Sequence, residues 1–170
     1  MKSRAGMTIL PWLFILLMVG SLLWLLNRLT RDLQDAEECR RRLERIHQVL
    51  ALYERENGHL PSFELFPEDP LNDSESLLSV LKPYGLNPEW ALCPAAPGVL
   101  RNHGISYLWN PALNQGSLEN RREPTWVLVD IQALVDNLPG PHFGGYNILY
   151  SNGRVERSPQ APHSLPVQFE

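Results

Sequence analysis

Residues 7–57 read MTILPWLFILLMVGSLLWLLNRLTRDLQDAEECRRRLERIHQVLALYEREN, and the change of character inside this one stretch decides the fold. From Met7 to Leu26 no residue is charged. About twenty apolar residues in a helix, rising about 1.5 Å each, are enough to cross a hydrocarbon core of roughly 30 Å. Lys2 and Arg4 precede the run and Arg28 and Arg31 follow it. The short basic N-terminal side is the expected cytoplasmic one, which places everything after Leu26 outside. A cleaved secretory signal is the competing reading. It fits poorly, because the run is longer than such segments, no small-x-small site follows Leu26, and helix-compatible sequence continues to Glu56.

Beyond the run, Leu29, Leu33, Ala36, Cys39, Leu43, Ile46, Leu50 and Tyr53 recur at steps of three and four, drawing one apolar stripe along a helix. The other faces are charged, with Arg31 and Asp35, Glu37 and Arg41, and Glu38 and Arg42 spaced to pair across a turn as a solvated face. Asn57-Gly58 supplies a left-handed stop and Pro61 prevents continuation. A single helix from Met7 to Asn57 would be about 75 Å long. Its outer half needs an apolar partner, since such a stripe does not stay helical on propensity alone. A coiled coil is one partner, but only about three heptads are present and Arg40 and His47 intrude beside the seam. Packing onto the chain's own sheet is the favoured reading.

Residues 58–170 suit one modest domain. Four bases and no acid lie in the first 31 residues, leaving 11 bases against 19 acids beyond, which argues against nucleic acid as a partner. Ser62 to Pro70 reads as a loop. Asn72-Asp73-Ser74-Glu75 offers caps for a short helix through Leu77, Leu78 and Leu81 that ends near Pro83 and Gly85, and Pro88 to Gly98 is a connector holding Cys93. Ile105 to Trp109, Trp126 to Val129 and Tyr146 to Tyr150 read as strands. Asn152-Gly153 then predicts a type I′ hairpin into Arg154-Val155-Glu156. Helix first and strands later give an α+β fold, a long N-terminal helix, transmembrane then amphipathic, packed on a small antiparallel C-terminal sheet. From Ser158 on, Pro159, Pro162 and Pro166 predict a draped tail.

Three segments resemble type IV pilins and the pseudopilins of type II secretion. Gly6-Met7-Thr8-Ile9-Leu10, behind Lys2 and Arg4, resembles the prepilin peptidase site, where the cut follows the Gly. Ile46 to Pro61, with Tyr53, Asn57-Gly58 and Pro61, resembles the segment that closes the long pseudopilin helix. His142 followed after nine residues by Asn152-Gly153 resembles the H-x9-DG pattern of many pilin-like proteins, with Asn for Asp. The resemblance implies a leader at 1–6, cleavage between Gly6 and Met7 with methylation of the new terminus, a membrane and assembly helix at 7–26 that includes Ile9, Leu10, Pro11 and Leu26, its amphipathic continuation at 27–57, and an external domain at 58–170. It also implies a single-pass protein of the inner membrane with its domain periplasmic or extracellular. The implied partners are a prepilin peptidase, an inner-membrane assembly platform and other pilin-like subunits, with energy from a separate cytoplasmic ATPase. One departure stands out. The fifth residue after the cut is usually Glu in this family, and here it is Pro11. That points either to a minor, tip-located subunit or to an anchored relative that never polymerises and serves as a binding module.

Cys39 and Cys93 are the only cysteines. Outside the cytoplasmic membrane they can form a disulfide worth about 4 kcal/mol by loop entropy, and the other reading is two buried thiols. His142 could serve as a ligand or base, but its place in the loop Pro139 to Gly145 favours a structural role, hydrogen-bonding the turn or a neighbouring backbone. The remaining histidines show no metal-ligand spacing. Asp130 and Asp136 flank a short segment, and some major pseudopilins hold calcium in a C-terminal loop, but no dense run of oxygen ligands occurs here. The expectation is therefore no cofactor, with calcium the lesser alternative. No G-x-S-x-G, P-loop or C-x-x-C supports an enzyme, and Trp109, Trp126, Tyr107, Tyr146 and Tyr150 read as core and sheet-face residues.

Overall fold

A computed structural model describes residues 9–119, 123–134, 140–162 and 165. Helix α1 runs without interruption over Ile9–Asn57. Pro11 falls in its first turn, where a missing N–H leaves no intrahelical bond unmade. At the other end Gly58 adopts φ +79° and its N–H reaches Glu54 O at 2.7 Å, while the Asn57 amide donates to Tyr53 O and to the Tyr84 hydroxyl, both at 2.8 Å. The predicted stop is where the sequence places it, and Tyr53 packs against Tyr84 beside it with the two rings tilted at 56°.

The chain divides into two compact units, residues 1–34 and 35–170. Described residues of the first are all helical, and their apolar side chains face outward: Leu10 is 74% exposed and Trp12 67%. Ser21 Oγ and Thr30 Oγ1 donate back to Met18 O and Asn27 O, so these polar groups are satisfied within the helix itself. The helix is long and apolar enough to cross a membrane. Arg28 lies over the Trp24 ring at 5.8 Å, a cation and an aromatic at the end of the apolar run.

In the second unit the stripe on α1 becomes a core. Cys39, Leu43, Ile46, Val49 and Leu50 are buried against Leu60, Phe63, the short helix α2 (Leu77–Leu81) and a four-stranded antiparallel sheet. Leu29 and Leu33, which continue the same stripe in sequence, are exposed. Ser76, rather than the residues before it, caps α2 by accepting from Leu78 N. Gly85 ends the following turn at φ +91°. A further short helix, α3 (Gly98–His103), follows the connector at a place where the sequence pattern predicted none.

The strands β1 (Tyr107–Trp109), β2 (Trp126–Asp130), β3 (Tyr146–Tyr150) and β4 (Val155–Ser158) form a meander in that order, so β1 and β4 are the edges. Side chains alternate between two buried clusters. Tyr107, Trp109, Leu128 and Leu149 join the α1 core, while Leu108, Trp126, Val129, Tyr146 and Ile148 form a second cluster covered by Leu65, Phe66, Ala161 and Leu165. An irregularity between Trp126 and Leu128 resets the register, which is why Val127 and Leu128 both enter the first cluster. In the tail, Ala161 and Leu165 pack against this second cluster; His163 and Pro166 lie outside the described residues.

The turn reading needs correction. Asn152 does not take positive φ; only Gly153 does, at +81°. Gly153 N bonds Tyr150 O and Tyr150 N bonds Arg154 O, both at 2.9 Å, giving a three-residue loop closed by a left-handed glycine. A Cβ at Gly153 would lie 3.1 Å from the His47 ring, a tight contact. A two-residue turn with both central φ positive does occur, at Phe143 (+51°) and Gly144 (+72°), where His142 and Gly145 pair. Sequence pattern passed over it because Phe is a costly residue there.

Candidate functional site

Strand alternation and the α1 stripe bring four chemistry-bearing side chains to one point. Asp130 ends β2 and pairs with Tyr107 of β1 in register, and both project toward α1, as does Asn147 of β3. On α1 the facing residue is Cys39. Cys93 arrives from the connector, its backbone N–H held by Ser106 Oγ at 2.6 Å. His142 arrives from the small hairpin before β3, which Gly145 closes by accepting from His142 N at 3.2 Å and donating to His142 O at 2.9 Å.

The connector is held in place by helix α1. Arg42 donates to Glu89 O at 2.8 Å and Leu92 O at 2.9 Å, and Arg45 lies over the Trp90 ring at 5.3 Å. The charged face of α1 is thus more than a solvated surface. Glu37 with Arg41 and Glu38 with Arg42 pair as expected, and Arg40 bridges Glu37 and Glu44 as well.

Cys39, Cys93, Asp130 and His142 are all buried, and one donor atom from each lies within 4.8 Å of the others. Cys93 Sγ is 3.1 Å from His142 Nε2, and Cys39 Sγ is 3.2 Å from the Tyr107 hydroxyl. Asp130 Oδ2 accepts from Asn147 N at 2.8 Å. Asp130 Oδ1 and His142 Nδ1 are buried with no partner among the described residues. The two sulfurs are not joined.

Burial and mutual charge set the protonation of this cluster. Burial pushes the Asp130 carboxyl well above the usual range, helped by the neighbouring Cys39. For Cys39 burial works upward, but hydrogen bonds from Cys93, His142, Tyr107 and Asn147 outweigh it and hold the thiol well below its ordinary value. Cys93 is pushed up, first by its hydrogen bond to Cys39 and then by burial. Burial, then the charge on Cys39, pushes Tyr107 up as well.

Of the residues singled out in sequence, Cys39, Cys93, Asp130 and His142 meet here. The expectation that the His142 side chain bonds its own turn or a neighbouring backbone needs correction: its Nε2 faces Cys93 Sγ instead. Asn152 and Gly153 belong to the β3–β4 loop instead, so the two halves of the H-x9-DG-like pattern sit at opposite ends of β3. Calcium does not suit Asp130, whose neighbours are sulfur and nitrogen rather than a shell of oxygens. Asp136, Gly6 and Met7 lie outside the described residues, and Ile9 begins α1. Tyr107 and Asn147 are supporting residues that pattern alone assigned to the core or left unassigned.

Cys93 and His142 have the spacing of a nucleophile and base, but a nucleophile must reach a substrate. Every member is buried, and a groove of about 680 Å³ on this unit, lined by residues that include His47, Gln48, Glu54, Arg55 and Asn152, has none of the cluster in its lining. No protein-family model matches this chain, and neither a curated protein nor a solved structure is significantly similar to it.

Proposed function

We propose that the protein is a pilin-like subunit, minor or divergent, of a pseudopilus or type IV pilus-like filament, anchored in the cytoplasmic membrane and processed between Gly6 and Met7. The observation that carries the reading is α1: one helix whose first half exposes Leu10 to Leu26 and whose second half is built into an α+β domain. Large apolar side chains at that exposure are costly in water at about 25 cal/mol per Å² and need lipid or other helices around them. Lipid serves before assembly and neighbouring helices serve after it, the exchange being driven by packing. The leader and the Tyr53, Asn57-Gly58, Pro61 closure support the same reading.

Pro11 favours a second reading, an anchored binding module that does not polymerise, because it removes the carboxylate through which family members contact a neighbour's amine. N-terminal sequencing of the membrane-extracted protein separates them. A start at Met7 is expected for pilin-type processing, and an intact Met1 or a start beyond Leu26 refutes it.

A further inference from the structure

We propose that Cys39, Cys93, Asp130 and His142 bind one zinc ion, which ties α1, the connector, the end of β2 and the hairpin before β3 into one crosslink. The site is independent of whether the chain assembles into a filament.

The ligand set argues for the metal. Two thiolates, one imidazole and one carboxylate are four donors of the type zinc takes in closed tetrahedral sites, whereas calcium and magnesium need a shell of oxygens. Zinc bonds of about 2.3 Å to sulfur and 2.0–2.2 Å to nitrogen or oxygen put tetrahedral ligands roughly 3.3–3.8 Å apart. Cys93 Sγ and His142 Nε2 are already at 3.1 Å and all four donors lie within 4.8 Å, so closure asks for movements of about 1 Å.

An unpartnered carboxyl oxygen argues for it a second time. Asp130 Oδ1 is fully buried with no hydrogen bond among the described residues, an arrangement that costs free energy unless a partner faces it. A disulfide between Cys39 and Cys93 would use the two sulfurs and leave that carboxylate and the imidazole unexplained. Zinc engages one donor atom from each of the four residues at once. On binding, the protons still held by the two thiols and by the Asp130 carboxyl leave to solvent, so that both sulfurs bind as thiolates and Asp130 as carboxylate, while His142 offers the Nε2 lone pair with its proton on Nδ1. The ion and its three anionic ligands carry one net negative charge, which the Tyr107 hydroxyl, donating to Cys39 Sγ, and Asn147 N–H, donating to Asp130 Oδ2, are placed to stabilise.

The test uses the full chain, extracted in detergent without a histidine tag, exposed to zinc chloride and dialysed into zinc-free buffer. One zinc per chain is expected by elemental analysis, with both thiols unreactive toward a disulfide reagent until a chelator and denaturant are added. Cobalt(II) in place of zinc is expected to give the intense visible bands of a tetrahedral thiolate site. Asp130→Asn preserves shape, so it is read first by circular dichroism and then by chelator competition, with affinity lower by about tenfold or more. The proposal is overturned by two free thiols without retained metal, by a mass that rises by two hydrogens on reduction, by retention of another metal in preference to zinc, by octahedral cobalt bands, or by unchanged affinity in a folded Asp130→Asn protein.

Discussion

Replacing Gly140 with Ala strikes the hairpin that delivers His142. Gly140 bridges to Gly144, and a Cβ there would overlap the Gly145 carbonyl and lie 2.8 Å from Tyr146 N. All three atoms are backbone, so no side chain can swing aside. Overpacking of this kind costs about 1–3 kcal/mol. Relief requires the hairpin to open, which removes the two bonds between His142 and Gly145, at about 0.5–1.5 kcal/mol each. The expected loss is therefore on the order of 4 kcal/mol. Gly144→Ala is the internal control: φ is +72° but no atom lies within 4 Å of the added carbon, so it pays only left-handed strain, about 1–2 kcal/mol. Urea unfolding of the full chain in detergent, followed by the fluorescence of the buried Trp109 and Trp126 and compared at equal slope, reads both. If Gly140→Ala costs no more than Gly144→Ala, the account of this hairpin is wrong.

Leu43→Ala, at a fully buried position on α1, is expected to lose about 2–5 kcal/mol in the same assay, against under about 0.5 kcal/mol for Val99→Ala at a site 79% exposed. Arg42→Ala leaves Glu89 O and Leu92 O without their charged donor and is expected to cost about 1–3 kcal/mol, whereas Arg41→Ala, whose partner is a surface carboxylate, costs under about 1 kcal/mol; equal losses would refute the connector clamp. Hydrogen bonding from Arg40, then the charges of Arg40 and Arg41, holds Glu37 down at about 2 from 4.5. Its contribution is thus complete above about pH 4.5 and fades as pH falls through about 2, and Arg40→Gln should move the Glu37 titration, followed by carboxyl NMR, upward.

Much of the fold was legible because it rests on local periodicity. The α1 stripe, its stop at Asn57-Gly58, three strands and the antiparallel order follow from spacing and turn chemistry. Helix α3 was not legible, since Gly98 to His103 is too short to show a period and begins with glycine. The Asn152-Gly153 turn was misread because the residue pair fits both a two-residue and a three-residue loop, and hydrogen bonding across Tyr150 decides between them. The cluster was legible only in pieces. Cys39, Cys93, Asp130 and His142 were each noticed, but they come from four elements with no ligand spacing along the chain, and only sheet register and the packing of α1 gather them. The signal available was that Tyr107, Asp130 and Asn147 fall on one face by alternation, the face that Cys39 meets.

The two edges of the sheet have a consequence for how copies of the chain can meet. β1 is three residues long, and β4 carries Glu156 and Arg157 and runs into Pro159, which has no N–H to give. Short, charged and proline-ended borders are poor templates for a further strand. Joining through continuous β-ribbons is thereby discouraged at both margins, so crowding many copies side by side need not seed amyloid-like stacking.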